Sequence, residues 1–188
     1  MKIGLAGAGG TGKGTLGEKL AKHYDFVFLP SHIEETGRSF GMTSYRDGYD
    51  QMKAYAFQHA IMYGQIYQER AIEIAKLNMI AERTTLDYIP YFLQRRFPLG
   101  THKKYLDMAR NWAKTYDAII YLPIDFKAQD AKEKSWKERD PKCQMNTDCI
   151  IKIEIEKSKV PFIEVRGTVE ERLSQVTSWI ATLGEKAG

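Results

Sequence analysis

Five short apolar runs recur along the chain, and each leads into polar, glycine or proline residues. Runs of this length and position are typical of strands buried inside a sheet. They lie at Lys2–Ala6, Phe26–Leu29, Asn78–Ala81, Ala118–Leu122 and Val160–Val165. The pattern therefore predicts five strands.

Segments with helical spacing of their apolar residues separate these runs. The predicted helices are Lys13–His23, Asp50–Lys76, Tyr105–Thr115, Asp148–Lys157 and Thr168–Leu183. Parallel neighbouring strands need long connections, and right-handed crossovers are strongly favoured. The alternation therefore predicts an α/β fold with a doubly wound, five-stranded parallel sheet.

The last predicted helix has recognisable end signals. Thr168 is followed three residues later by Glu171, the spacing at which each side chain bonds the other residue's backbone N–H. Gly184 is the expected end of this helix.

Composition limits the class of protein. With 188 residues, 43% of them hydrophobic and 28% charged, the chain fits one globular domain rather than a disordered, collagen-like or coiled-coil protein. The net charge of +4 suits phosphorylated small molecules or nucleic acid and decides between neither. Cys143 and Cys149 have no metal or redox spacing, and residues 1–6 are too short for a signal segment or membrane span. We therefore expect a cytoplasmic protein with reduced thiols and no membrane partner.

A glycine-rich segment follows the first strand and precedes the first helix. Residues 7–15 read GAGGTGKGT, which contains the GxxxxGK spacing of a phosphate-binding P-loop. In such a loop the backbone N–H groups face phosphate oxygens and the lysine adds positive charge. The predicted nucleotide contacts are Gly9, Gly10, Thr11, Gly12 and Lys13. An ordinary tight turn between strand and helix is the alternative.

Residue 14 departs from the strict motif. Gly14 stands where a magnesium-binding Ser or Thr is expected, and the hydroxyl follows at Thr15. The order GKGT resembles the phosphate loop of adenylate kinases. The resemblance implies that Gly14 and Thr15 contact nucleotide, and it leaves open whether Thr15 binds the metal directly.

Charged residues follow the second predicted strand, at the edge of the sheet where α/β proteins bind ligands. Glu34 or Glu35 can accept a proton from an attacking hydroxyl, and Arg38 can hold a substrate group. A surface ion pair at the start of a helix is the alternative.

The third predicted strand leads into Glu82 and Arg83. A carboxylate there can orient metal or water, and the arginine can reach a transferred phosphate. Asp87 can bind substrate, or it can cap the helix that follows.

The order of these motifs resembles that of a small P-loop kinase group. The group includes the nicotinamide riboside kinase domain and a related AAA-type ATPase/kinase family often found in phages. The resemblance rests on the phosphate loop, ExxR, the ERTTLDY segment from Glu82 and the VRGTVEER segment from Val165, and it spans nearly the whole chain. Glu82 stands where that family commonly has Asp.

The resemblance implies ATP and Mg²⁺ as cofactors and a single domain, residues 1–188, with a charged lid at about 125–142. It also implies that Lys134 or Arg139 closes on phosphates and that Gly167 lies near the adenine. Arg46 can hold substrate phosphate, although a solvated side chain is the alternative. The four histidines have no metal spacing.

These residues together predict a kinase that transfers the γ-phosphate of ATP to a nucleoside-like or nucleotide-like acceptor. In this mechanism Glu35, or in second place Glu82, orients the acceptor hydroxyl, and Arg83 with lid cations stabilises the transition state. Two alternatives stay open: a phage-type kinase acting on hydroxymethylated pyrimidines in DNA, with Arg95 and Arg96 near the backbone, and an NTPase without an acceptor. The choice of ATP or GTP and the oligomeric state, for which a homodimer is one option, are also open.

Overall fold

The computed structural model describes residues 1–42, 50–125 and 141–185. Its five strands form one parallel sheet in the order β2-β3-β1-β4-β5. The strands are β1 Lys2–Ala6, β2 Val27–Leu29, β3 Met79–Ala81, β4 Ala118–Tyr121 and β5 Phe162–Glu164. The predicted α/β class, strand number and parallel sheet are confirmed.

Seven helices and one short 3-10 turn connect these strands in the described ranges. The helices are α1 Lys13–Tyr24, α2 Ile33–Ser39, α3 Gln51–Ile74, α4 Ile89–Gln94, α5 Leu99–Ala113, α6 Pro141–Ser158 and α7 Val169–Glu185, and the 3-10 turn is Thr85–Tyr88. The sequence analysis gave no bounds for α2 and α4, which have seven and six residues and are too short for apolar periodicity to stand out.

Helices pack on both faces of the sheet, and the side chains of β4 point alternately into the two cores that result. Ile119 and Tyr121 face the core shared with α3, α4, α5 and α6. Ala118 and Ile120 face the core shared with α1 and α7. This period of two is the normal geometry of a strand, so a strand covered on both sides is apolar at every position.

The first turn of α7 has the predicted capping box. The backbone N–H of Thr168 donates to Glu171 Oε2 at 2.7 Å, and the N–H of Glu171 donates to Thr168 Oγ1 at 3.2 Å. The predicted end at Gly184 is wrong, because the helix includes Gly184 and extends at least to Glu185, the last residue that the structure describes. A glycine lowers helix propensity without ending a helix by itself.

A buried charge network joins the start of β1 to α3. Glu69 has 0% exposure, and its carboxylate lies 2.8 Å from Lys2 Nζ. Trp112 Nε1 and the Tyr116 hydroxyl each donate to that carboxylate at 2.5 Å. Gln65 Nε2 donates both to Glu69 at 2.6 Å and to the Arg83 carbonyl at 2.7 Å, so the network reaches the carboxyl edge of the sheet.

Both cysteines, Cys143 and Cys149, are free thiols, as predicted. Among the helices of the described ranges, none combines the length and the apolar character that a membrane span requires.

Candidate active site

The glycine-rich loop lies between β1 and α1, as predicted. Gly7 has a φ of 147°, and a Cβ atom there would overlap the carbonyl oxygen of Leu122 at the end of β4. Gly12, the residue before α1, has a φ of 88° in the left-handed region. Glycine is therefore required at both positions, first by a close backbone approach and then by conformation.

Lys13 folds back over this loop. Its side chain is buried, and Nζ donates to the carbonyls of Gly7 at 2.6 Å and Ala8 at 2.7 Å. The hydroxyl of Thr11 donates to the Ala8 carbonyl at 3.1 Å. The loop thus has an ammonium group and a helix N-terminus side by side, which is the arrangement that binds phosphate groups.

Glu82 lies against the first turn of α1. The backbone N–H of Ser31 donates to its Oε2 at 2.8 Å, and a Cβ atom on Gly14 would lie 3.4 Å from Oε1. The half-buried carboxylate occupies this position because β3 lies next to β1 in the parallel sheet, so that both strands run toward the same carboxyl edge. The departure from the strict motif at residue 14 therefore leaves room beside an acidic side chain. Thr15, one residue further, is exposed.

Arg83 points into the protein beside Ser31. Its side chain is 1% exposed, Nε donates to Ser31 Oγ at 3.2 Å, and Nη1 lies 3.9 Å from Asp87 Oδ1. Within the described ranges, Nη1 has no hydrogen-bond acceptor. A buried guanidinium with a donor left over can bind a further anionic group.

Asp87 is fully buried and closes a capping box with Thr84. Its Oδ2 accepts the Thr84 N–H at 3.0 Å and the Thr84 hydroxyl at 2.7 Å, and its Oδ1 accepts the N–H of Gly7 at 3.0 Å. Burial raises the pKa of the Asp87 carboxyl, against the opposing effect of Lys13 and Arg83. The capping alternative is confirmed, and the same carboxylate also ties the phosphate loop to the turn after β3.

The acidic and basic residues of α2 lie at the surface. Arg38 forms an ion pair with Glu34 at 3.7 Å, and its side chain is 72% exposed. Glu35 is exposed as well. The structure thus contains the surface ion pair expected under the structural alternative, while Glu35 as proton acceptor stays a prediction.

A second charged cluster lies at the ends of β4 and β5, and the sequence analysis missed two of its members, Asp125 and Arg172. Asp125 accepts hydrogen bonds from the N–H of Gly167 at 2.9 Å and from Arg172 Nη2 at 3.2 Å. Arg172 is 1% exposed, and its Nη1 donates to the carbonyl of Thr11 in the phosphate loop at 2.7 Å. No local sequence signal marks these contacts, because they join residues 42, 47 and 161 positions apart.

Several predicted residues lie outside the described ranges. They are Arg46, Lys134 and Arg139, with most of the lid predicted at 125–142.

No group of three or more His, Cys, Asp or Glu side chains in the described ranges is arranged to hold a metal ion. Magnesium at phosphate sites needs only one or two protein oxygens, since substrate phosphates and water supply the rest. Thr15, in the first turn of α1, and Glu82, close to Gly14, carry oxygen atoms of the kind that could serve in this way.

Three solved structures that share this fold are named as kinases. Deoxyadenosine kinase from M. mycoides with bound dATP matches with a TM-score of 0.68 and 17% identity over 96% of this chain and 99% of that one. Thymidylate kinase from Candida albicans matches with a TM-score of 0.63 and 16% identity over 96% and 91%. Shikimate kinase from Acinetobacter baumannii in complex with shikimate matches with a TM-score of 0.56 and 15% identity over 96% and 92%. At these identities the comparison establishes a P-loop kinase fold.

No curated protein sequence matches this chain. The model of a family described as AAA domain matches residues 2–172, which include the phosphate loop, every strand and the buried Arg172. The predicted resemblance is confirmed at this level: the chain belongs to the AAA domain family.

Proposed function

We propose that this protein is an ATP-dependent kinase that phosphorylates a nucleoside-like or nucleotide-like acceptor. The observation that carries the proposal is the position of Glu82, whose carboxylate lies against the first turn of α1 beside the phosphate loop. A carboxylate at this position is suited to orienting a metal ion or an attacking hydroxyl near a bound triphosphate.

In the proposed site, Lys13 and the backbone amides of residues 9–14 hold the triphosphate. Lys13 lies within hydrogen-bond distance of two loop carbonyls and is therefore held over the loop. Arg83 contributes buried positive charge next to Asp87, and its Nη1, which has no hydrogen-bond acceptor among the described residues, can donate to an anionic oxygen of the transferred group. Positive charge held in place before the reaction stabilises the charge that develops on the phosphoryl oxygens.

The hydroxyl of Thr15 would hold Mg²⁺ together with phosphate oxygens and water. When bound, the ion neutralises charge on the phosphate oxygens.

For the proton acceptor, the geometry favours Glu82 over Glu35. Glu82 is half-buried and fixed by the Ser31 N–H, whereas Glu35 is exposed on α2. A fixed carboxylate loses less freedom when it aligns a hydroxyl for attack. Glu35→Gln and Glu82→Gln test the choice: we expect kcat to fall by roughly 100-fold or more in Glu82→Gln and by less than about tenfold in Glu35→Gln.

A nucleoside or nucleotide acceptor is proposed because three observations agree. The motifs resemble those of nucleoside kinases, and the fold is shared with deoxyadenosine kinase and thymidylate kinase. The buried Arg83 and the half-buried Ser31 also offer polar groups at the carboxyl edge of β2 and β3.

A base within DNA is the second candidate acceptor. The stretch from Ile89 to Leu106 contains no Asp or Glu, and its cations Arg96, Lys103 and Lys104 are exposed. Exposed cations without intervening acids favour contact with a phosphate backbone.

The deciding experiment is transfer of label from γ-labelled ATP, with Mg²⁺, to separate pools of nucleosides, nucleoside monophosphates and DNA containing 5-hydroxymethyluracil. Lys13→Ala is the inactive comparison. Lys19→Ala removes an exposed lysine of the same helix and should leave transfer unchanged.

Each outcome has one meaning. Label in a nucleoside or nucleotide that is lost in Lys13→Ala and kept in Lys19→Ala supports the proposal. Label in DNA replaces the proposed acceptor by the second candidate. Release of free phosphate without transfer to any pool overturns the kinase assignment and leaves an NTPase.

A further inference from the structure

Two side chains from outside the phosphate loop hold carbonyl groups of that loop. Nη1 of Arg172, in α7, donates to the Thr11 carbonyl at 2.7 Å. Nε2 of Gln144, in α6, donates to the Gly9 carbonyl at 2.7 Å. These residues are 161 and 135 positions away from the carbonyls they bind, and neither belongs to the loop motif.

The direction of a carbonyl fixes the direction of the next N–H. The two groups share one planar trans peptide and point to opposite sides of it. The Thr11 carbonyl is paired with the N–H of Gly12, and the Gly9 carbonyl is paired with the N–H of Gly10. When Arg172 and Gln144 hold the carbonyls, those two N–H groups are therefore turned away from α7 and α6.

We propose that Arg172 and Gln144 are positioning residues that preset the Gly12 and Gly10 amides for the phosphates of the nucleotide. This inference rests on the proposed function, because it takes nucleotide phosphates to be the ligand of the loop. Peptides next to glycine rotate more easily than others, so the loop needs such external contacts to keep one orientation. An amide fixed in advance binds an anion without the cost of ordering it afterwards.

The Arg172 side chain is itself held in place. Asp125 accepts from its Nη2 at 3.2 Å, and the same carboxylate accepts from the Gly167 N–H at 2.9 Å and from Arg166 Nη1 at 3.1 Å. The Gly167 N–H, followed by Arg172 and Arg166, lowers the pKa of Asp125, so this carboxylate is ionised at neutral pH. Asp125, after the end of β4, thus holds the guanidinium at Nη2 while Nη1 binds the loop.

The Arg172 guanidinium also packs closely against the loop backbone. A Cβ atom added at Gly12 would lie 3.4 Å from Nη1, and the guanidinium is almost completely buried. Arg172 serves the two acceptors with two separate nitrogens of its planar fork, and a lysine has one nitrogen at the end of a shorter side chain. Arg172→Lys should therefore weaken at least one of the two contacts.

The test measures binding of ATP and of adenosine by isothermal titration calorimetry to the wild-type protein and three variants. Gln144→Leu removes the donor to Gly9, and Arg172→Lys removes the fork between Thr11 and Asp125. Glu170→Gln is the matched control, since it removes an exposed α7 ion pair with Lys19 on α1 and does not contact the loop.

We expect Gln144→Leu and Arg172→Lys each to weaken ATP binding about tenfold or more. Adenosine, which has no phosphates, should bind all four proteins within about twofold, because its binding does not use the loop amides. A general loss of structure would weaken both ligands together, and that result overturns the proposal.

Folding of each variant is checked by thermal denaturation. Gln144 is half-buried near the start of α6, so Gln144→Leu is the deciding variant if Arg172→Lys does not fold. Unchanged ATP affinity in the folded variants overturns the positioning role while the proposed function stands. Failure of the wild-type protein to bind ATP overturns the proposed function and this inference together.

Discussion

The sequence left open whether Asp87 contacts substrate or makes contacts within the fold, and a substitution at this residue separates the two. The buried carboxylate accepts from the Gly7 N–H at 3.0 Å, the Thr84 N–H at 3.0 Å and the Thr84 hydroxyl at 2.7 Å. In Asp87→Asn, one of the two oxygens becomes an NH₂ group that faces a donor. At least one backbone N–H then loses its acceptor, and the negative charge near Arg83 and Lys13 disappears.

The expected cost follows from these contacts. A buried donor without an acceptor costs about 1–3 kcal/mol. Breaking a buried ion pair by removing one partner costs about 3–5 kcal/mol. Burial raises the pKa of Asp87 and so already opposes its charge, and the ion pair with Arg83 is long at 3.9 Å. We therefore do not add the two costs and expect the ion-pair range alone, about 3–5 kcal/mol. For a domain of this size the melting temperature should fall by roughly 6–20 °C.

The assay is thermal and urea denaturation followed by circular dichroism, with Asp50→Asn as the matched control. Asp50 caps α3 by accepting from Met52 N–H at 2.9 Å and Lys53 N–H at 3.1 Å, but it is exposed. Asn is as good an exposed cap as Asp, so the control should cost less than about 0.5 kcal/mol. If Asp87→Asn is as stable as the control and raises only the KM for the acceptor, the reasoning is refuted and Asp87 contacts substrate.

Three further predictions concern stability. Lys2→Met should lower the free energy of unfolding by about 3–5 kcal/mol, because it leaves the Glu69 carboxylate buried without its cation. In urea denaturation the double variant Lys2→Met/Glu69→Gln should recover at least half of that loss. Equal instability of the single and the double variant contradicts this prediction. Burial lowers the pKa of His32 below its usual 6.5, and its buried Nδ1 has no hydrogen-bond partner within the described ranges, so the unfolded chain binds a proton more readily than the folded one. The contribution of His32 to stability should therefore be fully present above about pH 6.5 and be lost as the pH falls. His32→Gln should make the melting temperature fall less steeply between about pH 7 and 5. An unchanged dependence of melting temperature on pH contradicts this prediction. Gly7→Ala should lower the free energy of unfolding by about 2–4 kcal/mol, because the alanine Cβ atom would overlap the Leu122 carbonyl and the φ of 147° at residue 7 does not suit an L side chain. A variant as stable as the wild-type protein would show that the loop adapts freely.

The sequence by itself determined the class of the fold and the phosphate loop. Strands buried on both faces must be apolar throughout, and helices must present one apolar face, so the alternation along the chain predicts five strands and the helices between them. The loop after β1 was predicted because its residues are neighbours in the sequence. Gly7, Gly12 and Lys13 all lie in one short connection between a strand and a helix. The capping box of Thr168 and Glu171 likewise needs only neighbouring residues.

Tertiary structure decided which distant residues meet at that loop. The strand order β2-β3-β1-β4-β5 brings the end of β3 beside β1, and this places Glu82 against α1 while Glu35 stays exposed on α2. The positions of Arg172 and Gln144 follow from the packing of α7 and α6 on the sheet, since their partners lie more than a hundred residues away. Side-chain periodicity reports which face of an element is buried, but not which strand lies beside which, and that choice depends on packing among all the elements at once.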